Sequence, residues 1–172
     1  PYLTADHRVM VEYPEKIVFG LKAIMKAVGV DRGSIGIEKN KPDAILALKE
    51  AIKDEPNIHV ATLKVKYPQG DEKRLINAIL GRVVPSGGLP MDVGVVVSNV
   101  SSAKAIAEAI LEGKPLYERV VTVTGQGIKE PKNLLVKIGT PFKDLIEQCG
   151  GFVGAPGKII SGGPMMGISQ YT

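Results

Sequence analysis

Residues 14–63 alternate helix, strand, helix and strand, and this alternation limits the possible folds more than any other feature of the chain. Pro14 stands where a first helical turn tolerates proline. Ile17, Leu21, Ile24 and Val28 follow at helical spacing, with Lys16, Lys22 and Lys26 largely on another face. Gly29 suits the C-terminal end of that helix. Ser34–Ile37 reads as a short strand. Pro42 opens a second helix with an apolar stripe of Ile45, Leu48 and Ile52, closed by Pro56, and Ile58–Leu63 reads as a second strand. The pattern predicts an α/β layer with a mostly parallel, Rossmann-like sheet.

Directly after the second strand come Tyr67-Pro68-Gln69-Gly70-Asp71-Glu72-Lys73-Arg74-Leu75, and Leu75, Ile79 and Leu80 predict a helix there. The motif therefore sits at the C-terminal end of a strand and the N-terminus of a helix. Open α/β sheets place ligands there, and helix N-termini favour anions. The residues alone allow two readings. Asp71 and Glu72 complement the positive end of the helix dipole without any ligand. Alternatively, Gly70 lets a ligand approach the backbone, while the two acids bind hydroxyls or a positively charged ring.

Residues 83–94 hold two prolines and three glycines and read as a long loop. The Gly87-Gly88 pair lacks the closing Gly-Lys-Ser/Thr of a Walker loop and the spacing of a dinucleotide fingerprint, so a plain surface loop is the preferred reading. Val95–Val97 reads as a brief strand. Ser98 or Asn99 is the N-cap of an Ala-rich helix over 103–112. Gly113-Lys114-Pro115 ends that helix, dividing the chain into domains at 1–113 and 114–172. The second part reads as strand (Arg119–Gly125), strand (Leu134–Gly139), a short helix to Gln148 and a third strand (Lys158–Ile160). Thr140 is the expected N-cap of that helix, with Pro141 at its first position. Ser161–Gly167 is expected to be a flexible ending. This is a small α+β unit of grasp type.

Composition narrows the function classes. Of 172 residues, 44% are hydrophobic and 23% charged, enough for a core. The net charge of +4 comes from scattered lysines, and with three Phe, five Tyr and no Trp there is no stacking platform for nucleic acid. The one cysteine, Cys149, forms no internal disulfide and cannot hold an iron–sulfur cluster or zinc site. It is expected to be a buried, inert thiol in a reducing compartment. His7 and His59 have no partner at metal-ligand spacing, so no metal site is expected. Met165-Met166 reads as packing. No apolar run approaches a membrane span and no signal peptide opens the chain. The start at Pro1-Tyr2, without Met, reads as a piece of a longer protein.

Four stretches taken together carry a resemblance. They are Pro1-Tyr2-Leu3-Thr4-Ala5-Asp6-His7-Arg8, Tyr67 to Leu75, Val84-Pro85-Ser86-Gly87-Gly88-Leu89-Pro90-Met91-Asp92-Val93-Gly94, and Gly162-Gly163-Pro164-Met165-Met166-Gly167. The chain resembles, over essentially its whole length, the C subunit of the Rnf electron-transport complex. It is more distantly similar to the NADH-oxidising flavoprotein subunit of respiratory complex I. There the matching stretch has Tyr, then Cys-Gly-Glu-Glu-Thr, so Gln69 stands in place of that Cys and Asp71 in place of the first Glu.

The resemblance implies an incomplete α/β FMN-binding domain followed by a β-grasp domain of the soluble-ligand-binding (SLBB) type. It implies electron transfer between NADH and iron–sulfur clusters through FMN. It carries flavin and nicotinamide contacts onto Tyr67, Gly70, Asp71 and Glu72, and flavin contacts onto Asn99, with Ser98 where the distant relative has another Asn. No catalytic side chain is implied, because hydride passes between stacked rings. The family's glycine-rich FMN loop precedes the stretch matching Pro1, and its 4Fe-4S cysteines follow Thr172, so this chain carries one wall of the site. The partners implied are NAD(H) and the other subunits of a membrane complex at the cytoplasmic face of the bacterial inner membrane. The complete subunit would be the NADH:ferredoxin oxidoreductase component, with this chain inactive alone. A rival expectation is a non-catalytic docking module that binds no flavin.

Overall fold

The computed structural model describes residues 3–170, so Pro1 and Tyr2 of the first quoted motif lie outside the described residues. The chain forms two compact units, His7–Pro115 and a smaller one joining Leu116 onward to the residues up to Asp6. These compact units divide the chain at Pro115/Leu116, two residues after the boundary read from the sequence.

From its seventh residue the chain is in the larger unit: α1 (Ala5–Glu12) leads into α2 (Pro14–Val28), β1 (Gly33–Glu38), α3 (Pro42–Ala51), β2 (Ile58–Leu63) and α4 (Glu72–Leu80). Strands β1 and β2 pair in parallel, with Gly33 opposite Ile58 and Glu38 opposite Leu63, and α3 supplies the crossover. Alternation along β1 assigns its neighbours. A Cβ at Gly33 would meet Met25 and Leu21 of α2, whereas one at Gly36 would meet Leu75 and Ile79 of α4. The two helices therefore cover opposite faces of β1, as a doubly wound α/β layer requires. Ile17, Ile37, Ala44, Leu48 and Ile76 are all at most 2% exposed and form this core.

A 3-10 turn at Pro90–Val93 packs beside α4, and α5 (Val100–Glu112) packs along α2. The α2–α5 contact depends on Gly20, where a Cβ would stand 1.9 Å from the Ala103 carbonyl oxygen. Val95–Val97 is not a strand. Among the described residues, no strand pairs with it; the Val95 amide donates to the Pro90 carbonyl at 3.2 Å and the segment stays irregular backbone.

In the smaller unit, β3 (Glu118–Val123) pairs antiparallel with β4 (Lys132–Lys137), α6 (Phe142–Gln148) packs through Leu145 and Cys149, and β5 (Ile159–Ser161) pairs antiparallel with β6 (Ile168–Gln170). Two expectations change. The N-cap of α6 is Pro141, not Thr140, whose hydroxyl donates to the Lys137 carbonyl at 2.8 Å and closes the preceding turn instead. Residues 162–167 are not a loose ending. They turn β5 back onto β6, closed by the Gly167 amide donating to the Gly163 carbonyl. Cys149 is fully buried. Thr4 is tied into this unit. The Thr4 and Ala5 amides donate to Thr122 Oγ1 at 3.2 and 3.0 Å, and Thr122 Oγ1 donates to Asn133 Oδ1 at 2.7 Å.

Candidate functional site

The chain leaves β2 at Leu63 and is steered by Glu38, whose Oε1 accepts from the Lys66 amide at 3.2 Å. It then passes through a cis Tyr67–Pro68 peptide into Gln69, Gly70 and Asp71. Asp71 is the N-cap of α4. Its backbone is extended, and its Oδ2 accepts from the Arg74 amide at 3.3 Å. Gly81 ends the helix in the left-handed region, φ 67°, its amide donating to the Asn77 carbonyl. The cap reading of the sequence motif is therefore realised in Asp71.

Tyr67, Gly70, Asp71 and Glu72 fall in this one turn and are all exposed, Tyr67 at 62%. A Cβ at Gly70 would meet nothing within 4 Å. The glycine thus leaves the backbone open to an incoming group, and no internal packing calls for it. Gln69 is the residue that sequence reasoning left outside the site. It is 5% exposed, and among the described residues its Oε1 is the buried side-chain polar atom with no hydrogen-bond partner. A buried, unpaired amide is costly and asks for a partner. The Cys-to-Gln difference at position 69 was the one sequence signal pointing to it.

Ser98 and Asn99 lie elsewhere in the unit, at the start of α5. Of the two expected caps, Asn99 holds the position, its Oδ1 accepting from the Ser101 amide at 2.8 Å; the Ser98 hydroxyl lies 3.5 Å from the Asn99 carbonyl. The two groups of residues thus share a location type, a helix N-terminus, while their helices are held differently: α4 on β1 and beside the Pro90–Val93 turn, α5 along α2. The Gly87-Gly88 loop is closed on itself. The Gly88 amide donates to the Pro85 carbonyl at 3.0 Å and the Leu89 amide to Asp92 Oδ2 at 2.8 Å, while Arg82 Nη1 donates to the Val93 carbonyl at 2.7 Å.

The strongest electrostatic feature lies between α2 and α5. Glu108 is 8% exposed and Lys104 9%, and Glu108 Oε1 accepts from Lys104 Nζ at 2.6 Å and Lys16 Nζ at 3.0 Å. Lys16 also pairs with Glu112 at 2.6 Å, and Lys104 Nζ stands 4.6 Å from the Tyr13 ring centroid. Burial pushes the Glu108 carboxyl up, but the hydrogen bonds from Lys104 and Lys16 outweigh it and hold the group below the usual glutamate value. The Glu112 hydrogen bond, joined by that to Glu108, outweighs burial and holds Lys16 above its usual value. This network pins two helices together. The histidines are also accounted for: His7 Nε2 lies 2.7 Å from Asp43 Oδ1 and His59 Nε2 3.1 Å from Ser34 Oγ.

The β2–α4 turn thus offers a buried carboxamide with an unused hydrogen-bonding valence, an open backbone at Gly70, two exposed carboxylates and an exposed tyrosine ring. That set can accept hydrogen bonds and present an aromatic face. Among the described residues, no helix is long and apolar enough to cross a membrane.

Comparison with known proteins agrees with this architecture. Residues 1–108 match the family model of the Nuo51 FMN-binding domain, and residues 120–169 match the SLBB domain. The chain is 57% identical to the C subunit of the Na(+)-translocating ferredoxin:NAD(+) oxidoreductase complex of Acetobacterium woodii, over 99% of this chain and 39% of that protein. It is 56% identical to the proton-translocating counterpart of Clostridium ljungdahlii, over 99% of this chain and 37% of that protein. To the C subunit of the ion-translocating oxidoreductase complex of Erwinia tasmaniensis it is 40% identical, over 100% of this chain and 21% of that protein. The chain therefore spans two fifths or less of the length of these relatives. Among solved structures, an NAD+-reducing NiFe-hydrogenase in the air-oxidized state shares the fold, with a TM-score of 0.74 at 21% identity over 92% of this chain and 32% of that one. The chain belongs to the Nuo51 FMN-binding domain family, carries an SLBB domain behind it, and is a homologue of the C subunits of the ion-translocating oxidoreductase complexes.

Proposed function

We propose that this chain supplies one wall of a flavin and nicotinamide site in a subunit that passes electrons between NADH and iron–sulfur clusters through FMN. The observation that carries the reading is the β2–α4 turn, where the buried Gln69 Oε1, without a hydrogen-bond partner among the described residues, sits beside the open Gly70 backbone. The residues present fit the group. Tyr67 offers a ring face, Gly70 admits the isoalloxazine or its substituents to the backbone, and Asp71 orders the first turn of α4. Glu72 accepts hydrogen bonds from the nicotinamide carboxamide or a ribose hydroxyl, and Ser98 and Asn99 hold the ring edge from the start of α5. FMN, when bound, supplies the exchange between two-electron hydride chemistry and the one-electron clusters; the protein's part is placement and tuning. The complete subunit would then be the NADH:acceptor component of a membrane-associated complex, bound peripherally at the cytoplasmic face and partnered by its other subunits. In that complete subunit, Glu72→Gln is expected to slow NADH oxidation at least about tenfold with FMN retained, the loss of a charge-assisted contact. An unchanged rate sinks the role.

A second reading, a docking module that binds no flavin, draws support from the apolar surface of the smaller unit, where Leu135, Ile138, Phe142, Met165, Met166 and Ile168 are exposed. Titrating the complete subunit with FMN while following flavin fluorescence separates the two. Saturable quenching favours the flavin site, and its absence favours docking.

A further inference from the structure

We infer that the Gln69 carboxamide is a specificity-determining contact for a ring edge that presents an N–H donor beside a carbonyl acceptor. The inference rests on the proposed flavin and nicotinamide reading and names the residue and the chemical group by which that site selects its ligand.

Three observations lead there. Gln69 is 5% exposed, yet among the described residues its Oε1 has no hydrogen-bond partner. Native interiors rarely leave such an atom unpaired, because the group loses its water and gains nothing in return. Next, it lies in the turn that feeds the first turn of α4, one residue from Gly70, whose missing side chain leaves open space, and two from the N-cap Asp71. Finally, its chemistry differs from that of its neighbours. Asp71 and Glu72, when ionised, only accept hydrogen bonds, whereas a primary amide both donates and accepts. Turning the amide about its last bond exchanges oxygen and nitrogen at no cost in shape. The natural complement of such a group is another amide-like edge, in a paired two-bond contact. Phosphates and carboxylates lack the donor such a pair needs. The flavin imide, N3–H flanked by carbonyls, and the nicotinamide carboxamide both provide the complement.

The test is an analogue cycle on the complete subunit. In the flavin arm, the dissociation constants of FMN and 3-methyl-FMN, which lacks the N–H, are compared. In the nicotinamide arm, NAD+ is compared with 3-acetylpyridine adenine dinucleotide, which lacks the amide nitrogen. Each ratio is measured in the wild type and in Gln69→Met, a variant of similar length that makes no such pair. Wild type is expected to favour the natural ligand by about tenfold in the arm that Gln69 serves, and Gln69→Met to cut that preference to about twofold or less. Collapse in the flavin arm identifies the imide as the group read; collapse in the nicotinamide arm identifies the carboxamide. Ratios unchanged by Gln69→Met in both arms overturn the inference and return Gln69 to a packing role within the subunit. If Gln69→Met does not fold, Gln69→Leu replaces it. That variant also lacks the acceptor that the ligand N–H would meet, so it must lower the ratio in the arm served, and an unchanged ratio again overturns the inference. A wild-type subunit that binds neither FMN nor NAD+ overturns the proposed function itself, an outcome distinct from binding with unchanged ratios.

Discussion

Gly20 of α2 lies so close to Ala103 of α5 that a Cβ on Gly20 would stand 1.9 Å from the Ala103 carbonyl oxygen and 2.5 Å from its carbonyl carbon. The obstructing atoms are backbone, so no side-chain rotation relieves the clash. Gly20→Ala gains about 1 kcal/mol of helix propensity and must separate two helices whose small residues pack closely. Separation wins. We expect a net loss of about 1–3 kcal/mol, read as a lowered urea midpoint; a stabilised variant would contradict the packing.

Glu108 accepts from two lysines at the same interface, so truncating it strands Lys104 among buried surroundings. Glu108→Ala is expected to cost about 2–3 kcal/mol, less than the ~3–5 kcal/mol of a fully buried pair, because Lys16 keeps some water. Glu108→Leu with Lys104→Met removes both buried charges, leaves Lys16 paired with Glu112, and is expected to regain most of the loss in chemical denaturation.

The same network sets a pH dependence. Glu108 titrates lower in the folded chain than its usual value, so its contribution is fully present above the unfolded pKa and is lost as pH falls through the folded one. Lys16 titrates higher, so its contribution is present below the usual lysine value and lost as pH rises through the folded one. Stability followed by denaturant titration across pH is expected to fall on both flanks, and Glu108→Leu with Lys104→Met to flatten the acid side.

Asp71→Ala removes the α4 cap and is expected to cost about 1 kcal/mol, with faster amide exchange at Arg74. Asp71→Asn keeps the acceptor and should restore most of that protection. Persistence of Arg74 protection in Asp71→Ala would refute the cap.

Thr122 Oγ1 accepts from the Thr4 and Ala5 amides and donates to Asn133. Thr122→Val retains the shape and removes all three bonds. The expected result is a loss of about 1–2 kcal/mol from the smaller unit, with hydrogen exchange accelerated at Thr4 and Ala5. Unchanged exchange there would show that these residues are held by something else.

Much of the α/β layer was legible in local chemistry. Pro14 and Pro42 mark helix starts, Asp71 and Asn99 caps, and Gly29 and Gly113 stops, because each acts on its own turn. Where local signals failed, a competitor for the same atoms prevailed. Thr140 spends its hydroxyl on the Lys137 carbonyl, so Pro141 begins α6. Val95–Val97 has strand-forming residues and no described strand to pair with. Residues 159–170 form a hairpin because Ile159–Ser161 finds a partner in Ile168–Gln170, and pairing is a property of two segments.

The sequence by itself determined the helices and strands of residues 14–63, their parallel layer and the position of the Tyr67–Glu72 motif at a strand–helix junction, since periodicity, caps and turn residues act within a few positions. Only the tertiary structure decided which polar groups are buried. Lys104 and Glu108 have the spacing of a solvent-facing pair until α2 packs over them, and Gln69 looks like any turn glutamine until its Oε1 is enclosed without a partner among the described residues. Burial is set by what arrives from distant parts of the chain, and no local pattern records it.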